Sequence, residues 1–315
     1  MMAAADAPRI ARDEKVALVL GAGGARGLAQ IGVIEALQAR SLNIVAVAGS
    51  SSGALVGGVF AAGKLEVFRD WLLSMSRTDM LRLLDPAFGR PALFRGERLM
   101  AALRERAGEP RIEDLPVDFT AVAVDLMRQR EVWLREGDLW DAVRASIAIP
   151  GLFTPYVVHG RELVDGGLLA PLPIAATRLS DAHRLIAVDM HGWPMRPPGT
   201  PAEPDRDEPP GQGFEAANGA RAWLRDWIGH RLGGDDPPRD TADPVRRQIG
   251  FTELMARSLD TMQAQIARVQ LALDPPELVI RIPRDACQFY EFWRARELIA
   301  IGRAEADKAL DAAGY

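Results

Sequence analysis

Short runs of hydrophobic residues alternate along the first part of the chain with segments in which hydrophobic residues recur every three or four positions. The runs at 16–20 and 44–48 are uninterrupted, which is typical of strands buried on both faces of a sheet. A helical pattern follows each run, over 28–37 and over 52–62. This repeated order of strand, turn and helix predicts a βαβ unit and therefore a parallel sheet.

The same alternation continues towards the end of the chain. Further strands are predicted over 119–124, 132–134, 163–164, 185–188 and 278–282. Further helices are predicted over 65–75, 96–107, 245–273 and 289–311. The helix over 245–273 is expected to be amphipathic, because its hydrophobic residues recur at helical spacing; they are Phe251, Leu254, Met255, Leu259, Met262, Ile266 and Val269. These elements together predict one α/β domain.

A polar, proline-rich segment interrupts this pattern. Seven of the 22 prolines lie between Pro194 and Pro210, and a second polar break covers 233–244. This composition is typical of a surface loop or linker rather than of a packed element. The chain is accordingly divided into an N-terminal tail (1–14), a core (15–191), a Pro/Gly-rich insertion (192–244) and a C-terminal helical part packed on the core (245–315).

The charge and the cysteine count exclude several classes of protein. A formal net charge of −5 offers no basic face to a phosphate backbone, so nucleic acid is not an expected partner. Cys287 is the single cysteine, which rules out an internal disulfide and a cysteine-based metal cluster. The first fifteen residues contain Asp6, Asp13 and Glu14 and no hydrophobic stretch, unlike a secretory signal. We therefore expect a cytoplasmic protein.

One uncharged stretch resembles a membrane span only superficially. Residues 44–63 form twenty positions without a charge, and Gly49, Gly53 and Gly57 follow the Gly-x-x-x-Gly spacing of membrane helix pairs. The stretch also holds three consecutive serines and five glycines, which makes it weakly hydrophobic. A buried strand, a sharp turn and a close-packed helix explain it better.

The first candidate for chemistry is the turn Gly49-Ser50-Ser51-Ser52-Gly53, which matches Gly-x-Ser-x-Gly. In that motif a nucleophilic serine occupies a strained turn between a strand and a helix, and the flanking glycines avoid collisions with neighbouring backbone. The helix N-terminus beside the serine favours developing negative charge. The predicted strand and helix on either side support this interpretation, although a Gly/Ser-rich turn without chemistry has the same local sequence.

The second candidate is the glycine-rich loop from Gly21 to Gly27, after the first strand. A dinucleotide-binding loop would need its third glycine at position 26, which is Arg26, and an acidic residue at the end of the second strand, where none occurs. The alternative is a loop whose free N–H groups stabilise an oxyanion.

The third candidate is Asp165-Gly166-Gly167, directly after the predicted strand at 163–164. An acid at the carboxyl end of a strand lies where α/β sheets place their active sites. Asp-Gly is also a common turn dipeptide, so this motif by itself would indicate only a turn.

Taken in this order, the three motifs resemble the patatin-like phospholipase family. The segment 142–153, AVRASIAIPGLF, also resembles a block of that family. The similarity covers 15–190, with looser similarity in the C-terminal helices. The resemblance implies a three-layer α/β sandwich around a mainly parallel sheet. It also implies that the activity is hydrolysis of fatty-acyl esters such as phospholipids, lysophospholipids or acylglycerols.

The resemblance further implies a role for each motif. Ser51 would be the nucleophile and Asp165 its partner in a Ser–Asp dyad. The backbone N–H groups of Gly23, Gly24 and Ala25 would form the oxyanion hole, with Arg26 alongside. A carboxylate is a weak base at neutral pH unless burial raises its pKa, so we expect Asp165 to be partly desolvated. No cofactor and no metal are expected, because no cluster of His, Cys and Asp has ligand spacing.

Ala22 departs from the family pattern, because many members carry another glycine at this position. The added methyl group narrows the conformational freedom of the loop but removes no backbone donor.

Two alternatives to a dyad hydrolase stay open. His183 and His191 follow Asp165, so the chain order permits a Ser–His–Asp triad esterase for small soluble esters. His191 is the better candidate of the two, because it follows the predicted strand at 185–188. The other alternative is a catalytically idle, membrane-associated scaffold, against which the intact Ser51, Asp165 and glycine loop argue.

An amphipathic helix is predicted inside the insertion, over 217–232. One face carries Trp223, Leu224, Trp227, Ile228 and Leu232, and arginines 221, 225 and 231 lie at or beyond its rim. Such a helix suits a lid over an acyl groove or peripheral contact with the inner membrane surface. A helix packed on the core, in an otherwise passive loop, has the same pattern.

Overall fold

A computed structural model describes residues 10–11, 13–87, 92–195 and 251–315. The predicted helix at 217–232 and most of the predicted insertion therefore lie outside the described residues. The strands are β1 (Lys15–Leu20), β2 (Asn43–Ser50), β3 (Asp118–Asp125), β4 (Arg130–Leu134), β5 (Tyr156–Val158), β6 (Arg161–Asp165), β7 (Arg184–Gly192) and β8 (Leu278–Pro283). The helices are α1 (Ala29–Ala39), α2 (Ser52–Ala61), α3 (Leu65–Ser74), α4 (Arg77–Arg82), α5 (Glu97–Ala107), α6 (Leu139–Ser146), α7 (Phe251–Leu273) and α8 (Ala295–Ala312).

The eight strands form one mainly parallel sheet, in the order β5-β6-β3-β2-β1-β7-β8 with β4 paired to β3. The strands β1, β2, β3, β7 and β8 are mutually parallel, as the βαβ pattern predicts. The strands β4 and β6 are antiparallel to β3, and β5 is antiparallel to β6. The register places Leu20 of β1 beside Gly49 of β2 and beside Val188 of β7, so the carboxyl ends of these strands meet at one edge of the sheet.

Both faces of the sheet are covered, which makes the fold the expected three-layer α/β sandwich. In β1, Val16, Leu18 and Leu20 point into the large core formed with α1, α2, α3, α5, α6 and α8. Val19 points the other way and packs with Ile174 and with Ala267 of α7. Every residue from 16 to 20 can therefore be hydrophobic, because helices pack against both faces of the sheet at β1.

The helix α7 is amphipathic as predicted, but its more apolar side is not the buried one. Gln263 and Ala267 are buried, whereas Leu254, Met255 and Met262 are each about half exposed. A Cβ atom on Gly167 would lie 2.6 Å from Nε2 of Gln263, so α7 passes close to the backbone that follows Asp165. The buried face of α7 therefore presents a long polar side chain to the turn after Asp165.

Three described elements, α4, α6 and β5, are absent from the sequence prediction. The helix α6 begins with a capping interaction, in which the side chain of Asp138 accepts a hydrogen bond from the N–H of Asp141. This cap is the local signal from which α6 could have been predicted. Within the described ranges, no helix combines the length and hydrophobicity needed to cross a bilayer.

Candidate active site

Ser51 lies on a sharp turn between β2 and α2 and has a strained backbone. Its φ of 56° and ψ of −125° belong to a region that residues other than glycine rarely occupy. A Cβ atom on Gly49 would lie 2.6 Å from the backbone N of Ala54, and one on Gly53 would collide with the carbonyl of Leu20. Both glycines of the motif are therefore required by the close approach of strand and helix, as in a nucleophile elbow.

The hydroxyl of Ser51 donates a hydrogen bond of 2.6 Å to Oδ2 of Asp165. The other carboxylate oxygen of Asp165, Oδ1, accepts a hydrogen bond of 2.7 Å from the N–H of Gly167. Asp165 is 1% exposed. Burial raises the pKa of Asp165 to about 7, and the hydrogen bonds from Ser51 and Gly167 oppose this rise. The Ser51 hydroxyl thus faces a base whose pKa is close to neutral pH.

The two residues meet because β2 and β6 end beside each other on β3. Ser50 pairs with Val122 of β3 in a parallel ladder, and Asp165 pairs with the next residue, Ala123, in an antiparallel ladder. The sequence predicts that Asp165 lies at the carboxyl end of a strand. The structure shows that this strand, β6, is antiparallel to its neighbour β3. A Cβ atom on Gly166 would collide with the carbonyl of Val122, so the turn after Asp165 also requires a glycine.

A buried serine of α6 supports the turn at Ser51. The hydroxyl of Ser146 accepts a hydrogen bond of 2.9 Å from the N–H of Ser51 and donates one of 2.6 Å to the carbonyl of Val122. Ser146 belongs to the segment 142–153 that carries part of the family resemblance, but no role follows for it from the sequence. Its contact with Ser51 spans 95 positions and depends on the packing of α6 against β3.

The glycine loop lies beside Ser51, and most of its N–H groups are already paired. The N–H of Gly23 donates to Oγ of Ser52 at 3.2 Å, and the N–H of Ala25 donates to the carbonyl of Phe289 at 2.9 Å. The N–H of Gly24 has no hydrogen-bond partner among the described residues. Gly24 has a φ of 56°, and a Cβ atom there would collide with the ring of Phe289, so this position requires glycine.

A cluster of charged side chains, buried except for the partly exposed Asp260, lies behind the glycine loop. The guanidinium of Arg26 forms an ion pair with Asp260 of α7. The imidazole of His191 lies between Asp189, 3.6 Å from its Nδ1, and Asp260, 3.4 Å from its Nε2. Burial by itself lowers the pKa of His191, but these two carboxylates raise it above its ordinary value. Burial opposes the ionisation of Asp260, yet His191 and Arg26 hold its pKa at about 2.

The described histidines do not contribute to the Ser51–Asp165 pair. His191 contacts Asp189 and Asp260, and neither His159 nor His183 forms a hydrogen bond to Ser51 or Asp165 in the described part of the chain. His230 lies outside the described residues. Within those same residues, no group of three or more His, Cys, Asp or Glu side chains is arranged to hold a metal ion.

The family model for patatin-like phospholipases matches residues 18–178, which is more than half of the chain. The chain therefore belongs to the patatin-like phospholipase family. An uncharacterized NTE family protein of Mycobacterium tuberculosis is 41% identical over 337 aligned positions, which cover 95% of this chain and 92% of that protein. The lysophospholipase NTE1 of Cryptococcus neoformans is 33% identical over 196 positions, which cover 59% of this chain and 12% of that much longer protein. Family membership supports hydrolysis of acyl lipids.

Two solved structures are similar to the chain. VipD from Legionella pneumophila matches with a TM-score of 0.43 at 15% identity, over 96% of this chain and 67% of that one. The type III effector protein ExoU matches with a TM-score of 0.40 at 13% identity, over 95% of this chain and 53% of that one.

Proposed function

We propose that the protein is a serine acyl-ester hydrolase that uses a Ser51–Asp165 dyad. The observation that carries the proposal is the 2.6 Å hydrogen bond from the Ser51 hydroxyl to the buried Asp165 carboxylate, at a strained strand–helix turn. In the first step Oγ of Ser51 attacks the ester carbonyl carbon while its proton passes to Oδ2 of Asp165. The tetrahedral intermediate collapses, and the departing alcohol takes the proton from Asp165.

The second half of the reaction repeats the proton transfer with water. Water attacks the acyl group on Ser51 and gives its proton to Asp165. The resulting intermediate expels Ser51, which recovers its proton from Asp165, and the free fatty acid leaves. Asp165 acts in each step as base and then as acid, a role that suits a pKa of about 7.

The oxyanion formed in both steps needs backbone donors beside Ser51. Of the donors expected in the glycine loop, the N–H of Gly24 has no partner among the described residues, whereas those of Gly23 and Ala25 are paired with Ser52 and Phe289. We assign Gly24 as the principal donor of the loop. The N-terminal end of α2 adds a favourable dipole at the same place.

The proposed substrates are fatty-acyl esters of the phospholipid, lysophospholipid or acylglycerol type. Membership of the family and the similarity to proteins named lysophospholipase NTE1 support this class. The predicted helix over 217–232, with its two tryptophans and flanking arginines, is proposed to contact the membrane or to cover the acyl group.

The test is a hydrolysis assay on a panel of lipids that compares the native protein with Ser51→Ala. The panel contains a diacyl phospholipid, a lysophospholipid and a triacylglycerol, and the released fatty acid is measured. We expect turnover of at least one class by the native protein and none above background by Ser51→Ala. Native protein that releases no fatty acid from any of them would contradict the proposed function.

A fluorophosphonate probe tests the nucleophile independently of the lipid. Mass spectrometry of the labelled peptide should find the adduct on Ser51 and not on Ser50, which is fully buried, or on Ser52, whose Oγ accepts a hydrogen bond from Gly23. Ser50→Ala is the matched control and should be labelled like the native protein. Labelling that survives in Ser51→Ala would show that another residue is the nucleophile.

A further inference from the structure

Arg26 joins the glycine loop to two segments that are more than 230 positions away in the sequence. Its Nη1 donates to the carbonyl of Arg284 at 2.9 Å, and its Nη2 is paired with Asp260 of α7. Its Nε faces the carbonyl of Gly23 at 3.4 Å. The side chain of Arg26 is only 5% exposed, and each of its three guanidinium nitrogens has a partner within the protein.

The contact with Gly23 fixes the direction of a particular N–H group. The carbonyl of Gly23 and the N–H of Gly24 belong to one peptide plane, and in a trans peptide they point in opposite directions. Holding the Gly23 carbonyl on the side of Arg26 therefore turns the Gly24 N–H towards the opposite side. That N–H is the donor without a partner among the described residues.

The position of Arg26 depends in turn on Asp260. The rigid guanidinium plane can turn about the bonds of the side chain that carries it unless both outer nitrogens are held. The carbonyl of Arg284 holds Nη1, and Asp260, the one acidic side chain paired with Arg26 in the described part of the chain, holds Nη2. The imidazole of His191 also lies near this carboxylate, with its Nε2 3.4 Å from Oδ1 of Asp260 and its Nδ1 3.6 Å from Asp189 of β7, but its Nε2 makes no hydrogen bond to Asp260. The row Asp189, His191, Asp260 and Arg26 thus connects the sheet, through α7, to the glycine loop.

We propose that Asp260 is a positioning residue for the oxyanion hole: through Arg26 it fixes the peptide between Gly23 and Gly24, so that the Gly24 N–H meets the oxyanion. The proposal rests on the proposed function. Asp260 touches neither Ser51 nor Asp165 in the structure, and its effect is expected only on the step in which the oxyanion forms. It also gives α7 a role in the reaction beyond covering the sheet.

The experiment measures kcat and KM for hydrolysis of p-nitrophenyl octanoate. Asp260→Asn should lower kcat by about 10- to 100-fold, the scale on which a small misplacement of a catalytic group acts, and should leave KM within about threefold. Asp260→Glu keeps the charge but moves it by one methylene group, so its kcat should lie between those of the native protein and Asp260→Asn. A kcat for Asp260→Asn within twofold of native would overturn the proposal.

Asp274→Asn is the matched control, because it also removes the charge of an aspartate that forms an ion pair with an arginine. Asp274 follows the last turn of α7 and forms an ion pair of 2.8 Å with Arg178, away from the glycine loop. We expect Asp274→Asn to keep native kcat. If Asp260→Asn does not fold, as judged by circular dichroism, Asp260→Glu decides: a reduced kcat at unchanged KM supports the positioning role, and a native kcat overturns it.

A double-mutant cycle separates action through Arg26 from a general weakening of the structure. If Asp260 acts through Arg26, adding Asp260→Asn to Arg26→Met should change kcat by less than twofold. Effects that multiply would overturn the proposal. Native protein without Ser51-dependent turnover would instead contradict the proposed function, whereas Ser51-dependent turnover that Asp260→Asn leaves unchanged would contradict only the positioning role.

Discussion

At the scale of single residues, burial gives Asp165 the property that the proposed chemistry requires. An aspartate of ordinary pKa would hold a proton from a serine hydroxyl only weakly at neutral pH. Asp165 is 1% exposed, and burial raises its pKa to about 7 although two hydrogen bonds oppose the rise. A carboxyl group in this environment can serve as the base for Ser51 without an imidazole between them.

We predict that catalysis requires Asp165 and no histidine. Asp165→Asn keeps the shape of the side chain but removes the proton acceptor, so kcat should fall by about two to four orders of magnitude. Replacing His159, His183, His191 and His230 by alanine, one at a time, should leave kcat within a few-fold of native. The measurement is kcat for the five variants, with folding checked for each by circular dichroism. A folded histidine variant as inactive as Asp165→Asn would favour a Ser–His–Asp triad.

The dependence of activity on pH tests the same residue. Asp165 must be deprotonated to accept the proton of Ser51, so kcat/KM should rise with pH and level off above the pKa of about 7. The measurement is the pH profile of kcat/KM in the native protein and in His191→Ala. Because His191 lies away from the Ser51–Asp165 pair, we expect the same acidic limb in both; an acidic limb that is lost in His191→Ala would assign the limb to the histidine.

At the scale of secondary-structure elements, the strands and helices around the site other than α6 were predicted from local pattern. The hydrophobic runs at 16–20 and 44–48 correspond to β1 and β2, and the glycines and the serine after them occupy the predicted turns. The direction of β6 was not predictable, because its only hydrophobic residues, Leu163 and Val164, carry no information about whether the strand runs parallel or antiparallel to β3. The role of Ser146 was hidden for a similar reason, since its partner Ser51 lies on another element.

The helix α7 shows how tertiary packing can override an amphipathic pattern. Its hydrophobic residues at spacings of three and four predict a helix correctly, but Gln263 and Ala267 face the sheet. The side-chain amide of Gln263, rather than a hydrophobic group, lies against the turn at Gly167. The exposed side of α7 retains Leu254, Met255 and Met262, so hydrophobicity here does not indicate the core.

We predict that the segment over 217–232 contributes to binding at a lipid surface. Removing 194–244, or replacing Trp223 and Trp227 together by alanine, should lower binding to anionic phospholipid vesicles, because two interfacial tryptophans are lost. The measurement is cosedimentation with the vesicles. Trp193→Ala is the matched control, since Trp193 is 81% exposed but lies outside the segment, and it should bind like the native protein.

Unchanged vesicle binding by a folded deletion protein would remove the interfacial role of this segment. In that case 217–232 would be a helix packed on the core or part of a passive loop. The proposed Ser51–Asp165 chemistry would be unaffected by that result, because both residues and their hydrogen-bond partners lie in the described core.

At the scale of the whole molecule, the proposed active site lowers the stability of the fold near neutral pH. The pKa of Asp165 is raised from 3.8 to about 7 by burial, so the folded state holds this proton more tightly than the unfolded state does. The resulting contribution to stability is complete below the unfolded pKa and is lost as the pH rises through about 7. Ionisation of Asp165, which the proposed reaction requires, therefore lowers the free energy of unfolding.

We predict that Asp165→Asn is more stable than the native protein at pH 8 and that the difference disappears near pH 4. An asparagine carries no charge to bury. With about 1.4 kcal/mol for each pKa unit, the gain at pH 8 is on the order of 4 kcal/mol at most. The measurement is urea unfolding of both proteins at the two pH values. Equal free energies of unfolding at pH 8 would show that the pKa of Asp165 is not raised by burial.

The α/β class, the parallel strands and the glycine and serine turns can all be read from the amino-acid sequence, because these features follow from local hydrophobic spacing and from backbone conformations that few residues adopt. The sequence also pointed to Ser51 and Asp165 through motifs that resemble a family. The tertiary structure alone decided which elements meet: the end-to-end placement of β2 and β6 on β3, the support of Ser51 by Ser146, and the ion pair of Arg26 with Asp260. Such contacts join residues far apart in the chain. They arise from packing and register, and no local pattern encodes them.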